Sequence, residues 1–166
     1  LGRGFQRTSL FDSFTLEANL ILAAAARRVR SRWGRSRWGR DPLRDPALRA
    51  DARRAASLVG LDNLDRPTAS ADHGTRRRLD LAMALIGPPR LLLLDEPASG
   101  IGPGGTAALH ALIAGLPRDL TMMVIEHDLD LAFAIADRIV ILDHGRIAFD
   151  GAPDAARPAL GAIYDA

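Results

Sequence analysis

Three short apolar runs, each bounded by breakers and separated from the next by a helical stretch, constrain this fold more than any other feature. Residues 90–95 read R-L-L-L-L-D, residues 121–125 T-M-M-V-I and residues 138–142 R-I-V-I-L. The first two, short and continuous rather than alternating, fit strands buried on both faces, and the last reads as a third strand. Between the first two, a helix is predicted with Pro103 in its first turn, Leu109, Leu112 and Ile113 on one face and Gly115 at its end. A shorter helix is expected over residues 128–137. Asp143-His144-Gly145 then turns the chain into Ile147-Ala148-Phe149 as a hairpin, and a few helical residues are expected around Ala155. Strands alternating with helices imply right-handed crossovers, a parallel core sheet and the α/β class. Ligands of such sheets gather at the carboxyl ends of the strands. Two acidic clusters fall at those ends, Asp95-Glu96 and Glu126-His127-Asp128.

The first half is helical. Residues 1–12 read as a strand end and loop, after which Thr15 caps a helix with Glu17 in its first turn, running to about Val29. A second helix spans about 46–59 and stops at Gly60; a third begins near Gly74 and ends before Gly87-Pro88-Pro89. Between the first two lies the tandem repeat S-R-W-G-R-S-R-W-G-R, whose Gly and Pro neighbours indicate an exposed loop. Four parts are therefore expected: 1–12, a helical subdomain at 13–88 with an Arg-rich insertion at 27–54, an α/β core at 89–150 and a tail at 151–166. The longest apolar run, residues 20–26, is far short of the ~20 residues of a membrane span. The first residues show no initiator Met and no signal-peptide layout, and look like a cut through a longer protein. With no Cys, disulfides and thiolate metal sites are excluded.

An Asp at a strand end can hold Mg²⁺, and a second carboxylate one residue on can orient or deprotonate a water. Asp95 and Glu96 have that spacing after their apolar run, although an acidic turn after a strand would look the same. His127 follows the next strand, and parallel neighbours lie about 5 Å apart, so its loop can approach theirs. The stretch from Gly74 to Arg78 opens a helix with glycine and then cations, at an end that attracts anions. Taken alone it is an ordinary basic helix start. All 22 basic residues are Arg. A phosphate loop of the form G-x-x-x-x-G-K-[ST] needs a Lys, so this chain does not contain one.

The order of these pieces resembles the nucleotide-binding domain of ABC transporters. Gln6 matches the glutamine of the family's Q-loop, Ala71 to Thr75 fall on the signature, Asp95-Glu96 on Walker B, Ser99 to Gly102 on the D-loop and His127 on the H-loop. G-F-Q-R-T-S-L-F, D-E-P-A-S-G-I-G-P and V-I-E-H-D-L-D look like the branched-chain amino-acid transporter subfamily. The resemblance implies a P-loop NTPase-like ABC ATPase domain, lacking here its N-terminal strands and phosphate loop. It implies ATP and Mg²⁺ as cofactors. Asp95 and Gln6 would hold the metal, Glu96 would be the general base and His127 would contact the γ-phosphate. Asp72, His73, Gly74 and Thr75, with Ser99, Gly100 and Gly102, would line the nucleotide. Implied partners are transmembrane permease subunits and a second ATPase subunit, identical or not, arranged head to tail at the cytoplasmic face of the membrane. The chain departs from the family at Asp72, where Ser is usual, at Thr75, where Gln is usual, and at Gly102, where Asp is common. A carboxylate beside a phosphate is repulsive, and as a cap it competes for the same N–H groups.

Other readings compete. Gly100, Gly102 and Gly105 spell G-x-G-x-x-G, a dinucleotide-binding pattern, but five residues separate the first glycine from the strand and two of them are carboxylates. A non-catalytic or degenerate interaction fragment would explain the missing phosphate loop. Residues 27–54 carry 11 Arg against Asp41, Asp45 and Asp51, and with Trp33 and Trp38 form a composition suited to lipid headgroups or nucleic acid. A solvated loop lengthened by duplication is the preferred account, nucleic acid is not expected, and lipid contact is the functional alternative.

Overall fold

Short polar side chains decide where the helices begin. A computed structural model describes residues 2–3, 10–31, 41–99 and 102–164. The Thr15 hydroxyl accepts from the Ala18 N–H at 3.1 Å and starts α1, Leu16–Ser31. Asp45 accepts from Ala47 and Leu48 N–H at 2.8 and 3.4 Å and starts α2, Pro46–Leu58, with Pro46 at the first position, where a missing N–H costs nothing. Gly60 ends that region at φ +58°, a left-handed backbone that favours glycine. Asp72 caps α3, His73–Leu85. The three helices bury Leu16, Leu20 and Ile21 against Leu48, Ala52, Ala55, Leu79 and Ala82, and the alanines let the helices approach closely.

The chain divides into two compact units, Leu1–Ile125 and Glu126–Ala166. In the first, three parallel strands form a sheet of order β1-β2-β3: β1 is Gly2–Arg3, β2 Leu91–Asp95 and β3 Thr121–Ile125. Gly2 pairs with Leu92 on one side of β2, and on the other the register runs from Leu91 opposite Thr121 to Asp95 opposite Ile125. The crossover from β2 to β3 is α4, Pro103–Ala114, which buries Leu109 and Ile113.

β3 departs from expectation. Its pattern reads as a strand buried on both faces, yet Met123 and Ile125 are 58% and 54% exposed while Met122 and Val124 are half-buried. Among the described residues β3 is the edge of its sheet, with one face packed and one open.

In the second unit, Asp128 caps α5, Leu129–Ile135, by accepting from the Leu131 N–H at 3.2 Å. β4, Ile139–Asp143, pairs antiparallel with β5, Arg146–Gly151. The connecting residues His144 and Gly145 both have positive φ, 45° and 76°, as a type I′ hairpin turn requires. Arg138 clamps Asp150 with two hydrogen bonds of 2.6 and 2.7 Å across the open end. The tail is more ordered than its sequence suggests: α6, Pro153–Tyr164, runs through Pro158, and the Arg157 guanidinium lies 4.2 Å from the centre of the Phe133 ring of α5. A cation held over an aromatic face, together with the burial of Leu131 and Ala156, offsets the proline.

Candidate functional site

β2 delivers Asp95 half-buried at its carboxyl end. The Glu96 N–H donates to the Ile125 carbonyl at 2.9 Å, which extends the parallel pairing one residue past the strand. Glu96 has φ +44°. A non-glycine residue held there stores about 1–3 kcal/mol, and such strain clusters at functional sites. The Ser99 N–H donates to the Glu96 carbonyl at 3.0 Å and closes a turn over buried Pro97.

This turn is tied to α3. Arg77 Nη2 donates to the Ser99 carbonyl at 3.2 Å. Arg77 and Asp80 are 9% and 8% exposed, and with Leu81, Leu94, Asp95, Pro97 and Leu109 they line a cavity where α3, β2 and α4 meet. In sequence, Arg76, Arg77 and Arg78 look alike. The available signal was helical spacing, because Arg77 lies on one stripe with Asp80, Leu81 and Ala84, all of them buried.

At the start of α3 the Asp72 carboxylate accepts from the Thr75 N–H at 2.8 Å and from its hydroxyl at 2.7 Å, with Arg66 at 3.6 Å. The two Thr75 bonds, helped by Arg66, lower the Asp72 pKa from 3.8 to about 2. Asp72 is therefore an anion at neutral pH and already occupies an N–H that a phosphate would use. His73 is exposed, and a Cβ added at Gly74 would meet Asp72 Oδ1 at 3.3 Å. Gly102 caps α4 through its carbonyl, which accepts from Gly105 and Thr106 N–H at 2.9 and 3.0 Å.

Within the second unit, the cluster after β3 divides its work. Asp128 is the cap of α5, the Glu126 side chain is only 2% exposed, and the His127 side chain is 76% exposed with Nδ1 3.9 Å from Glu126 Oε2. A buried carboxylate beside an exposed imidazole was not legible from E-H-D. Gln6, Gly100 and residues 32–40 of the Arg-Trp repeat lie outside the described residues. Flanking the repeat, Arg28 pairs with Asp51, Arg49 and Arg53 both pair with Glu17, and Arg54 pairs with Asp51. Much of the described basic stretch is thus charge-matched on the helices rather than presented as a cationic face.

Among the described residues no three His, Asp or Glu converge as a closed metal cage. Mg²⁺ needs none, because it takes one or two carboxylates and completes its shell with water and phosphate oxygens. Asp95 offers a suitable hard oxygen donor at the strand end, so the donor chemistry fits. No helix among the described residues is long and apolar enough to cross a membrane.

Comparisons with known proteins converge on one family. The "ABC transporter" family profile matches residues 1–99. The high-affinity branched-chain amino acid transport ATP-binding protein BraF of Pseudomonas aeruginosa is 33% identical over 165 residues, and LivG of Escherichia coli is 32% identical over 160. Each similarity covers 93% of this chain, and the chain spans 62% of the length of either relative. Among solved structures, cbiO1 from Clostridium perfringens, part of the ABC transporter complex cbiONQ, matches with a TM-score of 0.75 at 22% identity, over 99% of this chain and 61% of that one. A dimeric ATP-binding cassette in a post-hydrolysis state, bound to ADP and Pi, matches with a TM-score of 0.69 at 19% identity, over 92% and 62% of the respective chains. The structural likenesses speak for the fold. With the profile spanning more than half of its residues, including the acidic strand end of β2, this chain belongs to the ABC transporter family.

Proposed function

We propose that this chain supplies the hydrolytic strand end and the signature helix of an ATP-hydrolysing subunit that powers import of branched-chain amino acids or similar small solutes. The observation that carries the reading is Glu96, held in a strained left-handed conformation directly after Asp95 and fixed there by the Ile125 carbonyl. Relatives named as branched-chain amino acid transport ATP-binding proteins support the solute class. In this reading the chain divides into a helical subdomain at 13–88, an α/β core at 89–150 and a tail at 151–166, although the two compact units part at 125/126, inside that core. The subunit would work at the cytoplasmic face of the membrane, peripherally, with permease subunits and a second ATPase subunit.

In this reading Asp95, with Gln6, would hold Mg²⁺. The chemistry such an ion would supply there is neutralisation of phosphate charge. Glu96 orients the attacking water and accepts its proton. His127 donates a hydrogen bond to a γ-phosphate oxygen. The residues from Asp72 to Thr75, with Ser99, Gly100 and Gly102, face the nucleotide of the second subunit. The preset backbone of Glu96 fixes the direction in which its side chain leaves the chain, so that only its rotamers are left to be ordered at the moment of attack.

Asp72 is the observation that favours a second reading, a degenerate interaction subunit. Its ionised carboxylate already holds Thr75, so an incoming phosphate meets both repulsion and a filled donor. One experiment separates the two. In a chimera joined to the G-x-x-x-x-G-K-[ST]-bearing half of a relative, Glu96→Gln should lower ATP turnover about 10²–10⁴-fold, the usual worth of a general base. Turnover that is measurable but indifferent to the substitution would remove Glu96 as the base. Absence of turnover in the parent chimera, restored by Asp72→Ser, would favour the degenerate reading.

A further inference from the structure

A polar hub lies inside the helical layer, where none is needed for packing. Asn19, on the first turn of α1, is 1% exposed. Its Nδ2 donates to the Phe11 carbonyl at 3.1 Å, the Thr15 carbonyl at 3.0 Å and the Thr68 hydroxyl at 3.0 Å, and its Oδ1 accepts from the Phe11 N–H at 2.9 Å. Thr68 is itself fully buried. One side chain therefore ties the loop before α1 to the loop before α3, 49 residues apart in sequence.

Backbone bonds run along the same seam. The Thr68 N–H donates to the Phe14 carbonyl at 2.9 Å, the Ala69 N–H to the Asp12 carbonyl at 3.2 Å and the Leu16 N–H to the Arg66 carbonyl at 3.1 Å. Beyond the seam, Arg76 Nη2 donates to Asp12 Oδ1 at 2.7 Å, which carries the connection into the first turn of α3. At the outer end, Phe11 and Phe14 stack edge to face with centroids 5.8 Å apart and are 54% and 38% exposed. An exposed aromatic pair, a buried amide and the capped start of α3 thus form one hydrogen-bonded body.

We infer that Asn19 is a positioning residue: through Thr68 it couples displacements of the Phe11–Phe14 loop to the start of α3, so that the two open and close as one unit. A buried amide with every donor and acceptor used specifies a single arrangement of the groups around it, because any slippage leaves one of them unpaired. The coupling matters to catalysis only through the signature role proposed for α3, and it rests on that reading to this extent. The hydrogen-bonded unit itself does not depend on it.

The test is amide hydrogen exchange on the full chain with Thr68→Val and Thr68→Ser. Valine keeps the volume and removes the hydroxyl. Asn19 Nδ2 has two hydrogens and keeps two carbonyl acceptors, so no buried donor is orphaned and the fold should survive. Loss of one such link should speed exchange at Phe11, Ala69 and Thr75 together, about fivefold to tenfold, with the amides of α4 and β5 unchanged. Serine should restore the parent rates. Faster exchange at Phe11 and Ala69 without Thr75 would overturn the coupling, and so would a uniform rise across all elements, which would mark a merely structural role. Glu96→Gln in the chimera fails or succeeds independently of these rates, so the two proposals can fall separately.

Discussion

β2 and β3 are paired residue for residue and read alike in sequence, yet on each face of the sheet β2 is the more deeply covered of the two. Leu92 and Leu94 of β2 are 0% and 4% exposed, and Leu94 shares its cavity with Leu81 of α3 and Leu109 of α4. Their β3 partners Met122 and Val124 are only half-buried, and on the other face Met123 and Ile125 stand open beside half-buried Leu93 and Asp95. A strand takes its burial from what lies over it, and a continuous apolar run does not say what that is. The contrast also sorts their roles. The packed strand fixes Asp95, and the open one contributes a single backbone carbonyl, that of Ile125, to hold Glu96.

The sharpest test of the contrast is a pair of truncations. Leu92→Ala should cost about 2–5 kcal/mol, the range for a fully buried leucine whose cavity relaxes only in part. Met123→Thr should stay within about 0.5 kcal/mol, as at ordinary surface positions. Urea denaturation midpoints read both. If Met123→Thr costs as much as Leu92→Ala, the open face of β3 is covered in solution and the comparison breaks.

The next effect concerns the helix that roofs the packed strand. Asp72→Ala should destabilise by about 1 kcal/mol, the usual worth of an N-cap, and loosen the start of α3. The sign with pH follows from its pKa, about 2 when folded against 3.8 as the ordinary value. The unfolded chain binds the proton first as pH falls. The stabilisation is therefore complete above about pH 4, is lost progressively between about 4 and 2, and is gone below. Parent and variant melting temperatures measured from pH 7 downward should converge over that window. A gap that persists below it would mean that Asp72 acts through something other than its charge.

Much of this was legible in advance, and the reason is local. Thr15, Asp72 and Asp128 cap helices through their own neighbours, so short-range chemistry suffices to place them. His144-Gly145 turns the hairpin for the same reason. The acidic strand end of β2 was readable because the run before it is short and the glycines after it stop the pattern. What could not be read depends on distant partners. Asn19 looks like any polar residue until Thr68 is brought beside it, Arg77 is set apart from Arg76 and Arg78 only by its helical spacing, which does not name the Ser99 carbonyl it meets, and α6 was underestimated because its support comes from Phe133 on another helix.

The smallest effect isolates what the open strand gives to the packed one. Glu96 sits at φ +44° because its N–H is drawn to the Ile125 carbonyl. Substitution by glycine and by alanine both remove the carboxylate and both keep that hydrogen bond, so their difference reports the backbone alone. At a left-handed position Glu96→Gly should be more stable than Glu96→Ala by about 1 kcal/mol, since alanine keeps the Cβ clash that glycine lacks. At an ordinary strand or turn position the order reverses by about 0.5–1 kcal/mol, because glycine loses more freedom on folding. The sign of one difference in denaturation midpoint therefore decides whether the strain is present in solution. If alanine proves the more stable, Glu96 is not held in the strained state, and the preset backbone that singles out this strand end loses its physical basis.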